Sequence, residues 1–211
     1  MKVDVYVDVV CPWCYIGERR FARALADFPH AEEVELSPRP YLLDPAAPAR
    51  AVPLREYLAG RYGPGSTGMM EQVGAAGAGE GIAIDWDRAL SVNTRAAHRL
   101  LGLAGREHGG EVQRALLARL FAAHFTFGED VGDHATLARH AAVAGMPEER
   151  ARAYLDAGEG SAELDAALRE ARELGIRAVP TFVFDERYAV SGAQASATFR
   201  QVLEEVRRRA A

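Results

Sequence analysis

The amino-terminal segment changes from a strand pattern to a helix pattern at a pair of cysteines. In the first stretch, apolar and other residues alternate with period two, which is typical of a β-strand, and the alternating apolar residues are Val3, Val5, Val7 and Val9. From Pro12 onward, apolar residues recur every three to five positions among charged ones, as they do on one face of an amphipathic helix. Any fold of this chain must therefore place a strand-to-helix junction at Cys11.

The junction contains the only two cysteines of the chain, in the sequence Cys11-Pro12-Trp13-Cys14. The first N–H groups of a helix have no partner within the helix, and its dipole favours an anion there, so we expect Cys11 to act as a thiolate nucleophile. Cys14 lies on nearly the same helical face, where its sulfur can reach that of Cys11 to form a disulfide. Pro12 suits a first helical turn, and Trp13 adds no charge, which predicts a moderate oxidant.

Two other roles for the cysteine pair are weaker. A structural disulfide that closes a loop of two residues would stabilise the fold little, because the entropy of closing so short a loop is small. A zinc site would need two further ligands, and the six histidines form no pair with suitable spacing. The pattern favours a redox-active pair and predicts no metal.

Length and charge exclude several classes of function. The 211 residues suit one domain, or one domain with a large insertion. The formal net charge of −5 argues against nucleic acid as a partner, and no stretch of 18 apolar residues suggests a membrane span. The chain passes from Met1 into the strand without a leader, so we expect a cytoplasmic protein.

The two ends of the chain are predicted to form the strands and helices of one α/β arrangement. Residues 1–44 are predicted to form β-α-β. Residues 161–211 are predicted to form α-β-β-α, with Ser161 as the cap of the first helix and a hairpin of strands at 179–184 and 188–191. The predicted order of elements is thus β-α-β … α-β-β-α, an α/β class.

This order, with a CxxC motif at the first strand-to-helix junction, resembles the thioredoxin fold, and the long insertion resembles the DsbA-like thiol oxidoreductases. Four separated segments resemble the FrnE branch of that superfamily: 8–17, 93–100, 179–182 and 191–194. The resemblance implies a cytoplasmic protein-disulfide oxidoreductase or isomerase. Unlike extended members of that branch, this chain has no second cysteine pair. More distantly, it resembles 2-hydroxychromene-2-carboxylate isomerase and the kappa-class glutathione transferases.

The resemblance assigns roles to residues near the second end. Pro180 matches the cis-proline that faces the cysteine pair, although on the residues alone a trans proline at a strand start is also well tolerated. Val179 would then offer its backbone to an extended substrate. We also expect Ser191 and Gly192 to contact substrate, together with the Pro12 and Trp13 pair between the cysteines.

Three further residues are candidates for tuning the site. Asp8 precedes the nucleophile and could relay protons to Cys14 or shift its pKa, but the alternation of the first strand suggests a polar face instead. Asn93 and His98 lie in one of the family-like segments. On the residues alone, Asn93 is a helix-start or turn residue, and His98 is a half-buried histidine that packs or hydrogen-bonds.

The middle of the chain, residues 45–160, is predicted to be an all-helical insertion that shapes a groove over the cysteines. We expect helices at 54–62, 67–77, 87–101, 112–125 and near Leu137 and Ala151. Many glycines in its first third are consistent with a mobile lid. Phe121, Phe125 and Phe127 are expected in the core.

The leading functional hypothesis is thiol–disulfide exchange with protein or peptide partners. Cys11 attacks, a mixed disulfide forms and Cys14 resolves it, so no bound cofactor is needed besides the reversible Cys11–Cys14 disulfide. Glutathione is a possible co-substrate. One alternative is a glutathione-dependent transferase or isomerase of the kappa or hydroxychromene-carboxylate type, in which glutathione binds at Val179 and around Ser191 and Gly192. The other is a non-catalytic interaction module with idle cysteines.

Overall fold

A four-stranded sheet forms the centre of the computed structural model, which describes residues 1–210. Its strands are β1 (Lys2–Val7), β2 (Glu35–Pro40), β5 (Thr181–Phe184) and β6 (Tyr188–Ser191). Two short strands, β3 (Val52–Pro53) and β4 (Leu90–Ser91), lie outside this sheet. The sheet has the order β2-β1-β5-β6, in which β1 and β2 run parallel and the other pairs antiparallel. The predicted α/β class and the order of the terminal elements are confirmed.

Within residues 1–210, the chain forms eight α-helices. They are α1 (Pro12–Ala26), α2 (Leu54–Tyr62), α3 (Ser66–Ala78), α4 (Arg95–Phe125), α5 (His134–Ala144), α6 (Glu148–Asp156), α7 (Ser161–Glu173) and α8 (Ser196–Ala210). Helices α1 and α8 pack together, and Phe21 of α1 stacks on Phe182 of the sheet with 5.1 Å between ring centroids. Helices α4 and α7 both contact β2. No helix within residues 1–210 is long and apolar enough to cross a membrane.

Strand β1 is buried on both faces, which corrects the prediction that its alternate residues form a polar face. The valines enter the main core, while Tyr6 packs with Ala171 and Ile176 on the other side of the sheet. Asp4 is also buried, and its carboxylate accepts a hydrogen bond of 2.7 Å from Arg39 Nε. A polar residue can occupy this face because a charged partner compensates for its burial.

Edge strand β2 is protected by its own prolines and by helix α4. Pro38 and Pro40 cannot donate a backbone N–H to a further strand. Arg114 donates to the carbonyl oxygen of Leu36 at 3.0 Å, and Gln113 donates to that of Pro38 at 3.2 Å. These side chains satisfy carbonyls that would otherwise invite edge-to-edge pairing.

The insertion is not entirely helical, because β3 and β4 form a short antiparallel pair. The helix predicted from residue 87 begins only at Arg95. Asp85 explains the difference, since its carboxylate accepts the backbone N–H groups of Asp87 and Arg88 at 3.1 and 3.2 Å and holds a turn there. The two helices predicted at 87–101 and 112–125 are the two arms of α4, which breaks at Gly109 with φ +88°.

Two smaller predictions also need correction. Ser161 is the first residue of α7 instead of its cap, and its hydroxyl donates to the carbonyl of Gly158 at 2.7 Å. Phe127 is 52% exposed, whereas Phe121 and Phe125 are fully buried.

The insertion shares one continuous core with the terminal segments. Tyr15 of α1 stacks on Phe121 of α4 with 5.1 Å between centroids. The division into a thioredoxin-fold domain (1–44 and 161–211) and a helical subdomain (45–160) remains a prediction, and its last residue lies outside the described residues.

Candidate active site

Cys11 is the N-cap of α1 and follows shortly after Val7, the last residue of β1. Its backbone is extended, with φ −94° and ψ 110°, and Pro12 is the first helical residue. The N–H groups of Cys14 and Tyr15 point back to the Cys11 carbonyl at 3.0 and 3.3 Å. No acidic residue lies in the first turn to oppose a thiolate there. The Cys11 side chain thus sits beside the positive end of the helix dipole.

A cis peptide bond between Val179 and Pro180 faces this cysteine. The Cys11 thiol donates to the carbonyl oxygen of Val179, with 3.8 Å between Sγ and O. Gly192 donates its N–H to the Pro180 carbonyl at 2.7 Å, so it supports the proline loop from behind. Ser191 ends β6 and is exposed. The structure therefore brings Val179 and Pro180 to the sulfur and places Gly192 in the layer that supports them.

Gly17 allows α1 to approach the proline loop. A Cβ at this position would lie 2.9 Å from Cγ of Pro180, which is closer than side chains tolerate, and 3.4 Å from Cα of Ala193. Arg20 strengthens the contact, because it donates to the Ala193 carbonyl at 2.6 Å and to Glu80 at 2.7 Å. Sequence reasoning missed Gly17, although a glycine inside an amphipathic helix pattern was a usable signal.

Cys14 lies behind Cys11 and is fully buried. Both sulfurs are free thiols, and the two side chains share a hydrogen bond. Burial raises the pKa of the Cys14 thiol well above its ordinary value, and the hydrogen bond with Cys11 and the nearby charges act in the same direction. A backbone hydrogen bond from Asp8 opposes this shift. Cys14 is thus held as a neutral thiol.

Asp8 and His98 form a buried pair next to Cys14. The exposed fractions are 1% for Asp8 and 4% for His98, and His98 Nε2 lies 3.2 Å from Asp8 Oδ1. The other carboxylate oxygen accepts the N–H of Leu43 at 2.7 Å. Both residues are more buried than the sequence suggested. Asn93, by contrast, accepts the N–H of Arg95 at 3.0 Å and serves as a local turn residue at the start of α4.

His124 is a further buried histidine, which the sequence did not single out. It is fully buried near the end of α4, and both ring nitrogens lack a hydrogen-bond partner among the residues described. Burial lowers its pKa to about 4, although the charge of Asp8 acts in the opposite direction. His124 is therefore neutral at physiological pH.

Pro12 and Trp13 are half-buried, so part of each remains accessible to a partner. The one group of side chains with metal-ligand spacing within residues 1–210 is His30, Glu32 and Glu33, near the surface, and Glu33 is paired with Arg207.

Comparison with known proteins identifies the family and the fold. A family model described as "DSBA-like thioredoxin domain" matches residues 2–204. The chain is 36% identical to a "probable DsbA oxidoreductase" from Streptomyces coelicolor, with a TM-score of 0.89 over 98% of this chain and 89% of that one. Among curated proteins, no sequence matches.

Two more distant structures share the fold. The cytosolic disulfide reductase DsbM from Pseudomonas aeruginosa, solved with glutathione (GSH), is 20% identical, with a TM-score of 0.70 over 99% of this chain and all 100% of that one. A 2-hydroxychromene-2-carboxylate isomerase is 15% identical, with a TM-score of 0.68 over 99% of this chain and 97% of that one. With the family match over nearly the whole chain and the CxxC pair at the strand-to-helix junction, the protein belongs to the DSBA-like thioredoxin-domain family of oxidoreductases.

Proposed function

We propose that the protein catalyses thiol–disulfide exchange with protein or peptide partners, with Cys11 as nucleophile and Cys14 as resolving cysteine. One observation carries the proposal: the Cys11 thiol lies at a helix N-cap and 3.8 Å from the carbonyl of Val179, next to a cis proline. The helix end stabilises a thiolate, and the Val179 backbone lies beside the sulfur, where a substrate strand could bind.

Substrate binding follows from the same contact. When Cys11 is a thiolate it has no S–H to donate, so the Val179 carbonyl becomes free to accept an N–H from the substrate backbone. An extended segment bound in this way resembles an added strand. Pro12 and Trp13 would contact its side chains, while Ser191 and Gly192 flank the loop. A mixed disulfide forms at Cys11.

Asp8 and His98 favour this division of roles between the cysteines. The charge of Asp8 adds to the causes that raise the pKa of Cys14, so the first thiolate forms at Cys11 and Cys14 keeps its proton until the mixed disulfide exists. We assign Asp8 and His98 to positioning and tuning. Asn93 acts only on the start of α4.

The direct test is insulin reduction together with refolding of scrambled ribonuclease. Wild-type protein should support at least one of these reactions, and Cys11→Ser should abolish both. Cys14→Ser should still attack a disulfide but accumulate the mixed disulfide, which mass spectrometry detects under non-reducing conditions. A wild-type protein that is inactive in both assays, or a Cys11→Ser variant that is as active as wild type, would contradict the proposal.

Glutathione is a second candidate partner, as co-substrate. The observation that favours it is the structural neighbour solved with glutathione, the disulfide reductase DsbM. The isomerase neighbour keeps a glutathione-dependent transferase or isomerase open as an alternative. Calorimetry with glutathione and a conjugation assay separate the cases, because a co-substrate would be oxidised without forming a conjugate. Membership of the FrnE branch and a cytoplasmic location stay predictions.

A further inference from the structure

The turn that follows α3 holds a buried carboxylate against α1. Glu80 lies in this turn, just after Ala78, and its N–H donates to the carbonyl of Gly77 at 2.9 Å. Ile82 donates its own N–H to the same carbonyl at 2.9 Å and is buried in the core. Contacts within the insertion therefore fix the backbone on both sides of Glu80.

Two arginines of α1 share the Glu80 carboxylate. Arg20 Nε donates to Oε1 and Arg23 Nη2 donates to Oε2, both at 2.7 Å. The Glu80 side chain is only 9% exposed, so its charge is largely removed from water and is compensated by the two guanidinium groups. The Arg23 side chain is 55% exposed and has no second hydrogen-bond partner among the described residues.

Of these two arginines, only Arg20 also contacts the loop beside the cis proline. Its Nη1 donates to the carbonyl of Ala193 at 2.6 Å. The neighbouring residue, Gly192, donates its N–H to the Pro180 carbonyl at 2.7 Å. A continuous series of contacts thus runs from the turn after α3, through Arg20, to the peptide that faces Cys11.

We propose that Arg20, anchored by Glu80, positions the Val179–Pro180 peptide for extended peptide substrates, so that the insertion sets how well the site binds them. The inference rests on the proposed exchange function. Arg20 is a positioning residue, because its hydrogen bonds go to Glu80 and Ala193 and not to the cysteine. Without it, the backbone edge offered to a substrate strand is no longer held against α1. A disulfide too small to lie along that edge does not depend on this contact.

A guanidinium group suits this role. Its Nε and Nη1 donate in fixed directions within one plane, so one side chain holds the Glu80 and Ala193 oxygens at a set separation. Glutamine at position 20 has no charge and cannot reproduce this fork. In Arg20→Gln the buried carboxylate keeps Arg23 as its cation, so the substitution does not leave an unpaired buried charge.

The test compares two disulfides with the same leaving group. One is dithiobis(nitrobenzoate), and the other is a short unstructured peptide whose single cysteine carries nitrobenzoate thiol as a mixed disulfide. All proteins carry Cys14→Ser, which confines the reaction to the first step. The Cys11 thiolate attacks one sulfur, the S–S bond breaks, and the coloured nitrobenzoate thiolate leaves with the electron pair. From the peptide it leaves in preference to the cysteine thiolate, because its pKa is lower.

The measured quantity is the ratio of the rate constant with the peptide to that with dithiobis(nitrobenzoate). A change in the nucleophile itself alters both rate constants and cancels in the ratio. Arg20→Gln should lower the ratio by about tenfold, while the rate constant with dithiobis(nitrobenzoate) changes less than about twofold. Glu80→Ala should lower the ratio too, because Arg20 loses its anchor. The double variant should lower it no further than Arg20→Gln alone, since both residues act through one contact.

Arg23→Gln is the matched control. It removes an arginine from the same carboxylate and no described contact with the proline loop, so the ratio should stay that of the parent protein. Glu80→Ala keeps the arginine that contacts Ala193 and tests the proposal even if Arg20→Gln fails to fold.

Three results would overturn the inference: an unchanged ratio in Arg20→Gln or in Glu80→Ala, a loss in Arg23→Gln as large as that in Arg20→Gln, or a double variant whose loss is the product of the two single losses. A parent protein that releases no thiolate from either disulfide would instead contradict the exchange function itself.

Discussion

Replacement of His124 by leucine should make the protein less sensitive to acid. His124 is neutral and fully buried in the folded protein, where its pKa is about 4, and an unfolded histidine titrates at about 6.5. As the pH falls below 6.5, the unfolded state binds the proton first, so the free energy of unfolding decreases. Above that pH both states are neutral and the residue has no effect on pH dependence.

The size of this effect follows from the two pKa values. Between pH 7.5 and pH 5, the folded protein loses about 2 kcal/mol of stability through this one histidine, since the unfolded form gains most of its proton there. In His124→Leu that loss should vanish. Urea unfolding at both pH values measures it, as the difference between wild type and variant in the change of unfolding free energy.

The control is His30→Leu, because the His30 side chain is 38% exposed and the same substitution there removes no buried imidazole. It should keep the acid sensitivity of the wild type. If His124→Leu and wild type lose the same stability between the two pH values, the reasoning is wrong: His124 would then be reached by water or paired in solution.

Two further predictions concern the cysteine site. Gly17→Val should lower the exchange rate by about tenfold or more, because its Cβ would lie 2.9 Å from Pro180 Cγ and would displace the proline loop from the cysteine. The control Gly68→Val, in open space on α3, should leave the rate unchanged. Equal rates in the two variants would contradict the importance of this contact. Asp8→Asn should shift the pH profile for alkylation of Cys14 to lower pH, because the substitution removes a charge that raises the Cys14 pKa. Mass spectrometry after labelling at graded pH measures this profile. A profile that does not move, or moves to higher pH, would contradict the tuning role of Asp8.

Local patterns predicted the elements that carry the cysteines. The alternation of β1, the helix that begins after Cys11 and the hairpin near the carboxyl end are encoded in short stretches whose period and turn residues are visible in the sequence. Local residues also bound α5: Asp133 precedes it and its carboxylate accepts the Thr136 N–H at 2.7 Å, and Gly145 follows it with φ +107°. These are interactions between near neighbours.

The polar pair behind the cysteines could not be predicted in this way. Asp8 lies in the amino-terminal segment and His98 lies 90 residues further on, within the insertion, so neither shows its partner in its own part of the sequence. In the sequence Asp8 continues an alternating pattern that is typical of a solvent-exposed face. No local feature of the sequence indicates that α4 covers it. His124 gives no signal at all. Segments distant in sequence bury Asp8, His98 and His124, and this burial determines the environment of each side chain.

Because Tyr15 stacks on Phe121, the insertion cannot be exchanged as an independent module. The ring beside Cys14 in sequence rests on a ring of the insertion, and both belong to one core. Removing residues 45–160 would strip the cover from the redox helix and expose an apolar wall next to the buried thiol. New specificity is therefore better engineered in the exposed parts of α2 and α3. The two arms of α4 should be retained, because they pack against the helix that carries the cysteines.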